Sequence, residues 1–304
     1  MHNKIFCLNC KNYGHISKKC KKPIESCGII ILKLSDDIKN IIFKNNILNE
    51  EMNNFNYNRI SNLKNIEKYK NKINFLLIEK KNSLNYIEFI RGLYDVNDKK
   101  KLEKMFKLMS QDEIKKLKTN DFLELWKLLW NKSAHKKIYQ KEFLASYNKF
   151  QSIKLNGRLD ELLLLKPKYK YTEWEIPKGK RKMNETNIEC AIREVEEETS
   201  INNNSYKLLL NLLKSSTLQY KYLGTNDIIY KNIFYFSILN NNYVLNTKEN
   251  KEVKQSKFFT IDEVRDYIRD YDIDKINLLT KIFLFIMNIC ETHINSNSNY
   301  YLNA

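Results

Sequence analysis

Residues 175–201 read EIPKGKRKMNETNIECAIREVEEETSI, and this stretch constrains the fold of the chain more than any other. Its spacing predicts a helix over Asn187 to Thr199, with Ile188, Ala191, Ile192 and Val195 forming an apolar stripe that must pack on a sheet. Glu194, Glu197 and Glu198 fall at i, i+3 and i+4, so they share a second face within reach of one cation. With Glu196 they make four neighbouring carboxylates that repel one another unless a counter-ion is present. An oxygen-only donor set selects hard divalent ions such as Mg2+ or Mn2+. Just upstream, Lys178, Lys180 and Arg181 surround Gly179, whose missing Cβ permits an unusual turn beside the acidic face. A carboxylate helix opposite a basic loop suits hydrolysis of a pyrophosphate linkage. On spacing alone, a solvated acidic helix remains the alternative.

Composition narrows the class. The chain has 304 residues, 42% of them hydrophobic and 12% aromatic, so a packed core is feasible and full disorder is excluded. Its 53 Lys and Arg against 36 Asp and Glu give a net charge of +17, which favours nucleic acid or phosphorylated ligands but equally fits a lysine- and asparagine-rich composition bias. No apolar run approaches the roughly 20 residues of a membrane span, and no secretory signal is apparent, so a soluble protein in a reducing, cytoplasmic setting is expected. Six cysteines then read as metal ligands or buried residues rather than a disulfide framework.

Cys7, Cys10, His15 and Cys20 follow the order Cys-x2-Cys-x4-His-x4-Cys, which supplies four S or N donors for a tetrahedral Zn2+ ion. Gly14 provides the turn before His15. The segment resembles a zinc knuckle, a module used on single-stranded nucleic acid. Lys11, Lys18, Lys19, Lys21 and Lys22 crowd it as phosphate binding would require, although Lys11 stands where knuckles carry glycine.

Beyond the knuckle, SCGIIILKL (residues 26–34), introduced by Gly28, and Ile73 to Lys81 read as strands; residues 35–72 read as loop or weak helix. Leu102, Met105, Phe106 and Met109 take helical period, Ser110 to Glu113 is a capping box, and Asp121 caps a helix carrying Phe122, Leu125, Trp126 and Leu129. ELLLLKPKYK after Gly157 reads as a strand, as do Tyr206 to Leu213 and Ile228 to Leu239. A last amphipathic helix is expected over Ile273 to Ile289, with a frayed tail.

From Gly179 the chain resembles the Nudix box, Gly-x5-Glu-x7-Arg-Glu-U-x-Glu-Glu-x-Gly-U with U aliphatic: Gly179, Glu185, Arg193, Glu194, Val195, Glu197, Glu198 and Ile201 match. Ser200 departs from the terminal glycine, which puts the local turn in question. EWEIPKGKR, and EVKQSKFFTIDEV at residues 252–264, are similar to the mRNA-decapping branch of Nudix hydrolases, and the flanks resemble the decapping enzymes of large cytoplasmic DNA viruses. The resemblance implies an α+β or α/β fold, a Nudix α/β/α sandwich with a mixed sheet, at 23–96 and 155–292. A knuckle at 1–22, a helical insertion at 97–154 and a tail at 293–304 would complete it. It implies capped RNA as partner and hydrolysis of the 5′ cap to 7-methylguanosine diphosphate and 5′-monophosphate RNA. Glu194, Glu197 and Glu198 would hold Mg2+ or Mn2+, and Glu185 would orient Arg193 or add an outer metal contact. Arg193 would tie the box together, either Glu198 or Glu252 would be the general base, and Lys178, Gly179 and Lys180 would meet phosphates. Trp174, Tyr171, Phe89 and Tyr94 are cap-stacking candidates by position only. A Nudix hydrolase of diphosphoinositol or dinucleoside polyphosphates shares every box residue, and a non-catalytic RNA-binding protein is the third reading.

Overall fold

The computed structural model describes residues 5–16, 19–44, 65–130, 137–209, 218–224, 228–240, 243, 245 and 250–301. Lys18 and the end of the predicted strand Tyr206 to Leu213 lie outside them. The chain forms two compact units, one of residues 1–78 with 174–304 and one of residues 79–173.

The first unit is organised by β1 (Ile24–Leu34), in which every residue from Cys27 to Leu32 is buried. Such a continuous β-branched run suits a central strand covered on both faces. On one edge it runs parallel to β7 (Ile229–Leu239) along most of its length. On the other edge its partner changes: β4 (Lys178–Gly179) pairs antiparallel with Cys27 and Gly28, and β2 (Ile73–Lys80) with Leu32 to Leu34. Gly28 thus lies inside β1 rather than opening it, at a point where a Cβ would sit 2.1 Å from the Pro177 carbonyl oxygen. Strands β3 (Trp174–Glu175), β5 (Tyr206–Leu208), β6 (Leu218–Leu223) and β8 (Val253–Phe259) complete a mixed sheet of eight strands among the described residues.

Strand alternation divides the buried residues between two faces. Cys27, Ile29, Ile31, Ile233 and Tyr235 pack with Ala191 and Val195 of helix α9 (Asn187–Thr199), the helix expected from its period. Residues of the other parity, including Ile30, Leu32, Phe234 and Phe236, are equally buried. Helices α1 (Asp36–Lys44), α2 (Ile66–Tyr69), α10 (Ile261–Tyr267) and α11 (Ile273–Tyr301) belong to the same unit. Helix α11 extends well past the expected Ile289. Among the described residues, no helix is long and apolar enough to cross a membrane.

The second unit is helical: α3 (Leu84–Ile90), α4 (Lys99–Leu108), α5 (Gln111–Thr119), α6 (Phe122–Trp130), α7 (Lys137–Leu155) and α8 (Arg158–Leu163). Phe89, Phe106, Phe122, Trp126 and Phe150 form its aromatic centre. The capping box of α5 does a second task, since the Glu113 carboxylate accepts from the Ser83 backbone N–H at 2.5 Å as well as from Ser110 at 2.8 Å. The run after Gly157 is α8 and not a strand. Leu159 and Leu162 are buried one helical turn apart while Leu164 is exposed, a pattern that a four-leucine string hides. This unit begins at the end of β2 and stops just before β3, so it takes in α3 and α8 beyond the 97–154 expected for an insertion.

Candidate metal-dependent active site

Helix α9 begins with a reciprocal capping box, in which Thr186 accepts from the Glu189 N–H and the Glu189 carboxylate accepts from Thr186. It ends at Ser200, whose φ of 60° is left-handed and whose N–H donates to the Glu196 carbonyl at 2.9 Å. Serine therefore adopts the turn that the family pattern gives to glycine, at the steric cost a Cβ carries there.

The loop before α9 is shaped around its acidic face. A Cβ on Gly179 would lie 2.1 Å from the Glu194 carboxylate, so only glycine lets this carboxylate sit against the loop. Arg193 is the hub: its Nε and Nη2 donate to the two oxygens of Glu185 at 2.6 and 2.9 Å, and its Nη1 donates to Glu194 at 2.6 Å and Glu197 at 2.9 Å. Nη2 also reaches the Lys180 carbonyl at 3.1 Å, latching the loop to the helix. Glu185 accepts in addition from the Lys182 N–H at 2.7 Å, so both of its oxygens are engaged.

Charges follow this geometry. The Arg193 guanidinium holds Glu185 down to about 2. Burial pushes Glu194 up, against the pull of Arg193, with Glu197 and Glu252 adding repulsion. Glu197 is lowered, chiefly by Lys182, whose ammonium lies 2.8 Å from its Oε1. Glu198 is buried and accepts from the backbone N–H of Lys178 at 2.9 Å. Glu252 comes alongside because Asn250 donates to the Glu197 carbonyl at 2.9 Å and accepts from the N–H groups of Glu252 and Val253. Arg193 thus joins Glu185, Glu194 and Glu197, and Glu252 is near enough to Glu194 to repel it, while Glu196 is exposed and Glu198 buried. Hard-oxygen donors, a raised acid and a cradle that a Cβ would fill suit a divalent cation.

Lys178 behaves differently from the phosphate donor expected of it. Strand alternation sends its side chain to the face of β4 opposite Gly179. There its ammonium pairs with Glu175, which outweighs the effect of burial and raises its pKa, near Tyr220 and Tyr222. Lys182, absent from the sequence reading, is the lysine that meets the carboxylates. Its signal was only its place in the box loop. Of the stacking candidates, Trp174, Phe89 and Tyr94 are buried in cores. By contrast, Tyr222 on β6 is 40% exposed and stacks on Tyr230 at 5.4 Å.

At the N-terminus, donor atoms of Cys7, Cys10, His15 and Cys20 lie within 4.8 Å of one another and could hold a metal ion. It is the one convergent Cys, His, Asp or Glu group of this kind among the described residues; the α9 carboxylates are held by Arg193 and Lys182 instead. Asn9 Nδ2 donates to Cys20 Sγ at 3.2 Å and pulls that thiol down to about 6. Lys11, like Ser200, takes a left-handed φ of 60° at a position where the resembled module has glycine.

A NUDIX domain model matches residues 152–279. A protein of Acanthamoeba polyphaga mimivirus named for mRNA decapping is 32% identical over 96% of this chain and 97% of its own length. The mRNA-decapping protein g5R of African swine fever virus (isolate Pig/Kenya/KEN-50/1950) is 36% identical over 56% of this chain and 67% of its own. A C. elegans Ap4A hydrolase, at 11% identity, covers 87% of this chain and 98% of its own with a TM-score of 0.40. With the box residues assembled around Gly179 and a relative aligned along nearly its whole length, this chain belongs to the Nudix hydrolase family.

Proposed function

We propose that this Nudix hydrolase cleaves the 5′ cap of RNA, releasing 7-methylguanosine diphosphate and leaving a 5′-monophosphate. The observation that carries the metal site is the packing of the Glu194 carboxylate against Gly179 with Glu197 and Glu252 near enough to repel it. The decapping branch is supported by the two viral relatives, which are named for that activity.

Bound Mg2+ or Mn2+ would neutralise the pyrophosphate and lower the pKa of the attacking water. Glu194, Glu197 and Glu198 are the residues that would hold it. Arg193, anchored by Glu185, orients Glu194 and Glu197 directly, a positioning role. Glu198 or Glu252 takes the proton of the water. Lys182, freed from Glu197 on ion binding, and Lys180 offer donors to the phosphates. Zn2+ is the ion proposed for Cys7, Cys10, His15 and Cys20, whose three thiols and one imidazole match a closed structural site. The helical unit carries an open groove of about 380 Å³ lined by Lys100, Lys104, Lys107 and Lys168 with Glu103 and Leu108, a net basic lining suited to an RNA backbone.

Incubation with cap-labelled long RNA, free cap analogue and diphosphoinositol phosphates in Mg2+ and in Mn2+ tests the assignment. Release of labelled 7-methylguanosine diphosphate with preference for long RNA is expected. Preference for the small substrates would refute decapping and leave a Nudix hydrolase of another specificity.

A further inference from the structure

The Cys/His loop is tied directly to the catalytic loop. Arg181, two residues past Gly179, has a side chain only 7% exposed. Its Nη2 donates to the Asn9 carbonyl at 2.7 Å, and its Nη1 pairs with Glu25 at 3.0 Å and also donates to the Asn187 side chain at the start of α9. Asn9 lies between Cys7 and Cys10. Its side chain donates to Cys20 Sγ and to the Pro23 carbonyl at 2.9 Å, and accepts from the Glu25 N–H at 3.1 Å. From the same loop, Lys11 Nζ reaches the Glu185 carbonyl at 3.4 Å. One buried guanidinium therefore joins the Cys/His loop, β1 and the N-terminus of α9.

The box loop has two latches. Arg193 holds it from the helix through the Lys180 carbonyl, and Arg181 from within the loop and Lys11 from the Cys/His loop tie the two loops together. Resting on the metal-site reading above, we propose that Arg181 is a positioning residue through which ion occupancy of Cys7, Cys10, His15 and Cys20 sets the shape of the 179–187 loop and hence the affinity of the carboxylate site. The Cys/His loop is then a brace for the active site rather than only an arm for RNA. Without an ion the Cys/His loop is left to hydrogen bonds such as those of Asn9 to Pro23, Glu25 and Arg181, and a buried guanidinium whose acceptor loosens must shift or rehydrate. Gly179 moves with it, and Glu194 loses the surface it rests on.

The test uses the full chain loaded with Zn2+ and titrates Mn2+ by the loss of the free-ion electron paramagnetic resonance signal, with turnover of free cap analogue as a second readout. Wild type is compared with C7S/C10S, R181A, R181K, N9A and the combination of R181A with C7S/C10S. C7S/C10S and R181A should each weaken Mn2+ binding by about fivefold or more, the lower end of typical site-to-site coupling. R181K should recover part of the loss, and the combination should be no worse than the poorer parent, as members of one pathway require. Should R181A fail to fold by circular dichroism, N9A, which keeps all four metal ligands and Arg181 but removes the side-chain hydrogen bonds to Cys20, Pro23 and Glu25, supplies the comparison, and unchanged Mn2+ affinity in it would count against the proposal. Unchanged Mn2+ affinity in C7S/C10S, or losses that multiply in the combination, would overturn the proposal. Failure of the underlying reading is separate, because it would appear as E197Q and E198Q leaving Mn2+ binding intact.

Discussion

Gly179 and Glu194 are in contact across the start of the box, with no room for even one methyl carbon between the loop and the carboxylate. The site therefore depends on a hydrogen atom as much as on its acids. Gly179→Ala must push Glu194 aside. We expect turnover to fall about 100-fold, as small displacements of catalytic groups do, with a stability loss of about 1–3 kcal/mol from overpacking. Near-normal kcat in a folded Gly179→Ala protein would remove the geometric basis of the site.

Lys182 is the resident counter-ion of Glu197, and an incoming divalent ion must displace it. Both side chains are at least half exposed, so the pair contributes no more than about 1 kcal/mol. Lys182→Ala should consequently tighten Mn2+ binding, by up to about fivefold, in a titration without substrate. Weaker binding would mean that the lysine supports the ion site rather than competing for it.

Ser200 and Lys11 both occupy left-handed backbone conformations. Replacing Ser200 with glycine removes a cost of about 1–2 kcal/mol against a loss of about 0.5–1 kcal/mol for glycine's greater freedom when unfolded. A net gain of roughly 0.5–1 kcal/mol in urea unfolding is expected. A destabilised Ser200→Gly would show that the hydroxyl contributes more than the backbone costs.

The Glu185–Arg193 pair makes stability depend on pH. Glu185 is depressed to about 2, below the value of a free carboxyl, so its contribution is fully present above about pH 4.5 and disappears as pH falls toward 2. With chelator present, the urea midpoint should drop between pH 5 and pH 3, and Glu185→Gln should be less stable at neutral pH with a shallower acid slope. Parallel acid slopes in the two proteins would contradict the assignment.

Much of this was legible in the sequence because the decisive signals are local. The α9 stripe of Ile188, Ala191, Ile192 and Val195 has helical period, so its packing could be read, and the different chemistry of the helix's second face marked the candidate site. Short strands carry no such period. The two residues of β4 are a strand only because Cys27 and Gly28 of β1 need partners. The buried residues of β8, Val253, Ser256 and Phe259, recur every third position rather than alternating. The partners of Lys178 were hidden for a related reason: charge suggested phosphate, and only alternation along β4 shows its ammonium at Glu175 and its N–H at Glu198. The link from Asn9 to Arg181 spans 172 positions, and nothing in local spacing foretells it.

The central claim is that the carboxylates of α9 hydrolyse the cap linkage. It is tested most directly by single-turnover release of 7-methylguanosine diphosphate from cap-labelled RNA by the Glu198→Gln variant, with folding checked by circular dichroism. The arrangement predicts that the rate falls by about 10³-fold, the scale of losing a catalytic acid–base or ligand group, while the helix content and unfolding midpoint stay close to wild type. A folded Glu198→Gln protein that still releases the diphosphate at the wild-type rate would contradict the account.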